Sequence, residues 1–289
     1  MKYAFIESCR AEHAVTRMCG WLEVSPPGYY KWRKRGPSNQ ARRRAHVRDA
    51  VVIAFEQSKR RYGAPRVTVE LNEAGIACSL NHVAQLMAES GLRARNGKGY
   101  KYFPAPNRFN HVSDNLLKRN FTACRPNEKW VSDITYIKVR KGYVYLAVIM
   151  DLYARQIVGW AMSSQMTADL ILEAFTMAVG RRQIKPGVIL HSDRGVQYRS
   201  GEYQRALLDQ GMQPSMSRKG NCWDNAAMES YFARLKVESV HMETFSGLGE
   251  AYTSVFEYIE MFYNRVRRHS ANGYKSPLEY ENMYYARCA

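Results

Sequence analysis

Two periods of hydrophobicity divide this chain of 289 residues. As far as residue 95, apolar positions recur every three or four residues, the spacing of helices with one buried face. Ala14–Leu22 carries such a stripe, Glu23–Gly28 interrupts it, and Tyr29–Arg35 (YYKWRKR) interleaves rings with cations. Ser25, ahead of Pro26 and Pro27, suits the N-cap and first turn of a second helix. Helix, turn, helix is the outline of a DNA-binding motif, although Tyr29, Tyr30 and Trp32 serve equally well as core. Arg42–Arg48 leads into a helix over Asp49–Gln57, and Arg60–Arg66 (RRYGAPR) ends it with Gly and Pro. A second two-helix unit follows: Pro65–Ala74, a turn at Gly75–Cys78, and Ser79–Ser90 with Ser79 as N-cap. Val83, Leu86 and Met87 form its buried face. Asn81, His82 and Gln85 then point outward, toward base edges and phosphates of a major groove or simply toward water. Arg60, Arg61 and Arg66 beside this unit are candidate DNA contacts.

Residues 97–124 show little periodicity and predict an extended linker, in which Tyr100–Phe103 (YKYF) either follows a DNA strand or pins the linker down. From Asn127 the period changes to two. Lys129–Val139 alternates β-branched and aromatic residues, Gly142–Met150 is almost wholly apolar, and Ile157–Ser163 is a third run. Short joints at Arg140–Lys141 and Asp151–Arg155 predict an antiparallel meander. A helix over Thr167–Gly180 follows, with Thr167 as N-cap and Gly180 as terminator. Next come a short buried strand over Gly187–His191, a helix over Gly201–Gly211, and a strand over Met212–Ser217. Helices over Asn225–Ser239 and Gly249–Arg265 complete the chain. This order is an α/β fold, a mixed five-stranded sheet flanked by helices, preceded by an all-α helix-turn-helix region. The predicted boundaries are 1–95 (two units, 1–58 and 59–95), a linker over 96–125, and an α/β core with C-terminal helices over 126–289.

Composition adds a partner. The chain carries 43 Lys and Arg against 26 Asp and Glu, a net charge of +17. Residues 1–100 hold 18 of those cations against 8 acids, so the helical third is the denser basic region. Self-repulsion of this size opposes folding and points to a polyanion, with DNA foremost. The six cysteines are scattered without a metal-binding or disulfide pattern and suit reduced intracellular thiols. No signal peptide and no apolar run long enough to cross a bilayer is visible, so the expectation is a cytoplasmic protein without a membrane partner. No phosphate-binding G-x-x-x-x-G-K-[ST] loop is present, which argues against ATP use.

Three acids are candidates for chemistry. Asp133 lies in WVSDITYIK, on a strand that is otherwise buried, where a carboxylate is costly unless paired or metal-bound. Asp193 ends the short strand of VILHSDRGVQY beside Gly195, where parallel strands place ligands. Glu229 falls in the helix of GNCWDNAAMESYFARLK, with Met228 and Phe232 to anchor that helix on the sheet. Fifty-nine residues separate the two aspartates, and 35 separate Asp193 from Glu229. If the first strand and the Val188 strand are neighbours, the carboxylates converge. Such a set suits two Mg²⁺ (or Mn²⁺) ions, which bind carboxylate oxygens and substrate phosphates and promote in-line displacement at phosphorus. Lys236, two turns after Glu229 on the same face, is a candidate cation for the DNA beside the metals. Asp224 lies roughly 500° of helix before Glu229, off its face, and suits an N-cap. Asp151 suits a turn. His191 and His241 are given structural or DNA-contacting roles.

These motifs resemble the OrfB-type transposases of the IS-three group of bacterial insertion sequences, within the DDE transposase and retroviral integrase superfamily. MKYAFIE, SPPGYYKWRKR, RRYGAPRV, WVSDITYI, LHSDRGVQY, GNCWDNAAMESYFARLK and YNRVRRHSANGYKSPLEYE carry the likeness across nearly the whole chain. The resemblance implies a ribonuclease-H-like core with Asp133, Asp193 and Glu229 as its Mg²⁺-binding catalytic triad. It implies that Lys236 is the basic residue meeting the transposon end. It further implies 3′-end nicking and strand transfer on double-stranded DNA, an upstream OrfA partner, a homo-oligomer on DNA, and a nucleoid-associated place in a bacterium. A structure-selective nuclease of the same fold and a non-catalytic DNA-binding regulator are the alternatives.

Overall fold

A computed structural model describes residues 1–36, 38–95, 113–218 and 222–288. They form two compact units, Met1–Arg93 and Ala94–Ala289. Among the described residues no helix is long and apolar enough to cross a membrane.

The first unit is helical throughout: α1 (Lys2–Cys9), α2 (Val15–Trp21), α3 (Pro26–Lys34), α4 (Asn39–Gln57), α5 (Ala64–Glu73) and α6 (Leu80–Glu89). Ile6, Met18, Cys19 and Tyr29 close a small core between the first three helices. Tyr29 is thus core, and its hydroxyl donates to Glu7. Ser25 caps α3 by accepting from the Gly28 N–H, and Ser79 caps α6 by accepting from His82. These bonds satisfy N–H groups that the first helical turn leaves orphaned. α4 is ten residues longer than its apolar stripe predicted. Ser38 caps it at Ala41, and the arginine run lies inside it. Arginine is a good helix former, so this stretch extends the helix instead of preceding it. Val47, Val51 and Phe55 of α4 are buried, as are Val67 and Leu71 of α5 and Val83, Leu86 and Met87 of α6.

The second unit is built on a five-stranded sheet: β1 (Lys129–Val139), β2 (Gly142–Asp151), β3 (Gln156–Ser163), β4 (Ile189–Ser192) and β5 (Gln213–Met216), in the order β3-β2-β1-β4-β5. β1 to β3 form the expected antiparallel meander, while β4 runs parallel to β1 and β5 parallel to β4. α7 (Ala168–Arg181) and α8 (Gly201–Asp209) cover one face, with Trp130, Ile149, Phe175, Tyr203 and Leu207 in the layer between. α9 (Ala226–Glu238) and α10 (Leu248–Phe256) cover the other, over Val131, Ile137, Phe232, Leu235 and Val255. α11 (Pro277–Cys288) ends the chain. Gly159 on β3 admits α7, because a Cβ there would lie 2.1 Å from the Ala174 carbonyl.

Three local expectations fail. Thr167 precedes α7 but its hydroxyl turns to Asp169 and does not cap the helix, and α7 continues through Gly180 to Arg181. The predicted helix over Gly249–Arg265 is α10 followed by a π-helix over Glu257–Tyr263. The wider turns place Tyr258, Ile259 and Tyr263 in the core. They also bring Asn264 to β3, where its amide accepts from the Ile157 N–H and donates to the Ile157 carbonyl. Apolar spacing does not separate these two helix types. Third, Asp224 does not cap α9. Asn225 holds that position, without a side-chain cap, and Asp224 lies in the 3₁₀ turn before it. Tyr100–Phe103 lies outside the described residues. Residues 113–125 make turns, and Leu117 is buried.

Candidate active site

β1 and β4 are paired only from Lys129↔Ile189 to Val131↔His191. Beyond that point β1 keeps β2 on one side, and among the described residues its other edge meets a neighbour again only at the Val139↔Phe245 bridge. Asp133 lies at the mouth of this opening, and Asp193 follows β4 directly. α9 packs along the same face through Met228 and Phe232, as the sequence suggested, and also through Leu235. Asn225 fixes the start of α9 by donating to the Ser132 carbonyl. Glu229 stands in the first turn of that helix.

The backbone orients two of the carboxylates. Asp133 accepts from the Ile134 N–H at 2.8 Å, and Asp193 accepts from the Gly195 N–H at 2.8 Å. A Cβ on Gly195 would come within 3.0 Å of that Asp193 oxygen, so glycine leaves the turn room. Burial holds the Asp133 carboxyl well above the usual range, with the negative charges of Asp193 and Glu229 adding to it and Lys236 opposing. Burial also raises Asp193 and Glu229, although the Gly195 N–H and Arg199 pull Asp193 back. The charges of Asp193 and Glu229 thus both act on Asp133. Buried Tyr198, bonded through its hydroxyl to Ser132 at 2.9 Å, lies within the field of both aspartates.

Lys236 is largely buried, 9% exposed, with its ammonium 4.6 Å from the Tyr136 ring centroid. Burial lowers its pKa while the charge of Asp133 raises it. It is a cation held at the site and not a free surface arm. Among the described residues no three His, Cys, Asp or Glu side chains stand close enough to hold an ion as a set. The donors nevertheless fit a hard divalent cation in kind. They are all carboxylate oxygens, and like charges in a desolvated site are stabilised by a cation between them.

The rival groups are placed elsewhere. His191 is buried between the Ser215 and Ser217 hydroxyls, 2.8 and 3.1 Å away, and burial brings it down to about 4. It is a structural residue tying β4 to β5. His241 is exposed on the turn Val240–Met242. Asp151, paired with Trp130 near the start of β1, accepts from the Asn127 and Tyr153 N–H groups as a turn residue. Asp224 is buried and accepts from Arg218, Arg119 and Asn115. Its spacing in sequence carried no sign of these partners, since two lie more than a hundred residues upstream.

The basic and polar candidates of the first unit are each accounted for there. Asn81 and Gln85 are exposed on α6, and Gln85 donates to Glu89. His82 is half-buried. Arg60 is exposed and pairs with Glu56, Arg61 is half-buried, and the Arg66 guanidinium lies 5.4 Å from the Tyr62 ring centroid.

Comparison with known proteins shows where the chain belongs. An HTH-like domain model matches residues 42–99, and integrase core domain models match residues 123–222 and 229–285. The chain is 44% identical over 286 residues to the Escherichia coli protein "Transposase InsF for insertion sequence IS3A", covering 98% of this chain and 99% of that one. It is 42% identical over 248 residues to the Lactococcus lactis "Transposase for insertion sequence element IS904", covering 86% of this chain and 98% of the other. A solved structure of the HTLV-2 integrase catalytic core domain in complex with magnesium aligns with 55% of this chain and 98% of its own, at 16% identity and a TM-score of 0.40. On its identity with these transposases over nearly its full length, this chain belongs to the IS3 family and is a DDE-type transposase with an HTH-like domain and an integrase core.

Proposed function

We propose that Asp133, Asp193 and Glu229 hold two Mg²⁺ or Mn²⁺ ions and that the chain nicks the 3′ ends of its element and joins them to target DNA. The observation that carries this reading is the placement of Asp133 on β1 just past its pairing with β4, Asp193 directly after β4, and Glu229 in the first turn of α9, with the charges of Asp193 and Glu229 both acting on Asp133. When bound, such ions supply an activated attacking oxygen and a stabilised leaving oxygen for in-line displacement. The protein's own part is positional. The Ile134 and Gly195 N–H groups aim Asp133 and Asp193, and Asn225 sets the axial position of the helix that carries Glu229. Lys236 keeps a positive charge beside the acids, where DNA phosphates approach.

The helical region over 1–95 is the proposed DNA-recognition part, ahead of a linker over 96–125 and the core over 126–289. Exposed Asn81 and Gln85, with Arg60, Arg61, Arg66 and His82, are its proposed contacts. An OrfA product and further copies of the chain on DNA complete the proposed assembly.

Strand transfer on element-end DNA with Mg²⁺, with and without the OrfA product, tests the core assignment. Asp193→Asn is expected to abolish joining while leaving DNA binding intact. Joining that survives this change would overturn the metal assignment. Asn81→Ala combined with Gln85→Ala is expected to weaken binding to the element end and leave unrelated DNA unaffected.

A further inference from the structure

On the edge of β1 beyond Asp133, the structure carries a feature that the carboxylates do not explain. Tyr136 and Tyr143 are large aromatic residues that remain 43% and 51% exposed. Their rings meet edge to face, with centroids 5.3 Å apart and planes at 84°. Neither ring fills the core, and an exposed aromatic pair is costly to leave in water without use. Exposed cations surround them. Lys138 lies opposite Tyr143 in the β1–β2 register, and Arg140 and Lys141 form the tip of the same hairpin. The pair is also tied to the site. The Lys236 ammonium that senses Asp133 lies 4.6 Å from the Tyr136 centroid.

From this juxtaposition we infer that Tyr136 and Tyr143 are a stacking platform for unpaired bases of the DNA strand that enters the carboxylate site. Lys138 and Lys141 would meet the phosphates of that strand. Alternating rings and cations is what a single strand needs: each base offers a π-face and each nucleotide a negative charge. A paired duplex offers no free base face, so the platform selects a strand opened next to the cut. The inference rests on the proposed role of the three carboxylates in handling DNA.

The test uses the full-length protein and two DNA probes, a blunt duplex and the same duplex with a short unpaired 3′ extension containing 5-iodo-deoxyuridine. Ultraviolet cross-linking followed by peptide mapping is expected to find the extension attached to Tyr143 or Tyr136. Tyr143→Ala is expected to weaken binding of the extended probe about tenfold, the order of one lost base stack, and to leave the blunt probe unchanged. Tyr143→Phe keeps the ring and is expected to keep the affinity. Cross-links confined to other residues, or an equal loss on both probes, would overturn the platform. Its failure is separable from that of the carboxylate reading. If Asp193→Asn abolishes joining but the tyrosines neither cross-link nor affect binding, only the platform falls. If Asp193→Asn still joins DNA while Tyr143 cross-links, the carboxylate assignment falls and the strand contact stands.

Discussion

Asp224 and Glu238 are surrounded by cationic and hydroxyl partners, whereas Asp133 has a backbone N–H bond and the like charges of Asp193 and Glu229 acting on it. Arg218 grips Asp224 through its backbone and guanidinium and holds that carboxyl below the usual range, with help from Arg119. Glu238 receives both nitrogens of buried Arg267 at 2.7 Å and the Tyr258 hydroxyl at 2.9 Å. Around Asp133 the sign is reversed: burial and two more acids push its carboxyl up, against the Ile134 N–H bond and the Lys236 ammonium. A chain carrying 43 cations does not lack arginines to pair with these acids. On the proposed reading, carboxylates that hold the fold have been given partners, and those at the site are left for a ligand to neutralise.

The largest expected break in that contrast is Glu238→Gln. It leaves the Arg267 charge buried without its counter-ion and should cost about 3–5 kcal/mol in a urea melt; a loss below 1 kcal/mol would show Glu238 to be no structural anchor. Asp151 comes next, since burial lifts it to about 6 despite two backbone donors and nearby Arg182. A carboxyl raised in the folded state binds its proton more tightly there than in the unfolded chain. The folded state therefore loses stability as pH rises from about 4 to 6, by about 3 kcal/mol for a shift of this size. Asp151→Asn should flatten that fall relative to the parent; parallel pH curves would refute it. Third, Mg²⁺ at a hundred times its dissociation constant should stabilise the parent by about 2.7 kcal/mol and Asp193→Asn by little, read as thermal midpoints. The smallest change is Asp133→Asn without divalent ions. Removing one of three repelling charges is expected to raise stability by about 1 kcal/mol, where the same change at Asp224 lowers it.

Much of this architecture is legible in the residues alone because periodicity and caps are local. The change from a three-to-four spacing to alternation at Asn127 located the sheet, and Ser25 and Ser79 located helix starts. Asp133 was conspicuous as a charge on an apolar strand, and the 35 residues between Asp193 and Glu229 made a site plausible. The motifs, more than the spacing, pointed to the chemistry. Partnerships across a hundred residues were not legible: nothing near Asp224 announces Asn115 or Arg119. Helix spacing puts Lys236 two turns after Glu229, but that spacing cannot tell a buried ammonium from a surface one. Tyr136 and Tyr143 passed as ordinary strand residues, since alternation does not reveal which face of a hairpin stays wet.

The wide turns over Glu257–Tyr263 set a counting rule for the end of the chain. Asn264 and Arg267 donate their backbone N–H groups to the carbonyls of Ile259 and Phe262, five residues back. Winding these same residues as α-helix, at about 100° per residue, would turn everything downstream out of its present phase. Asn264 would then swing off Ile157 and Arg267 off Glu238, so the wide turns are what let one helical stretch serve both anchors.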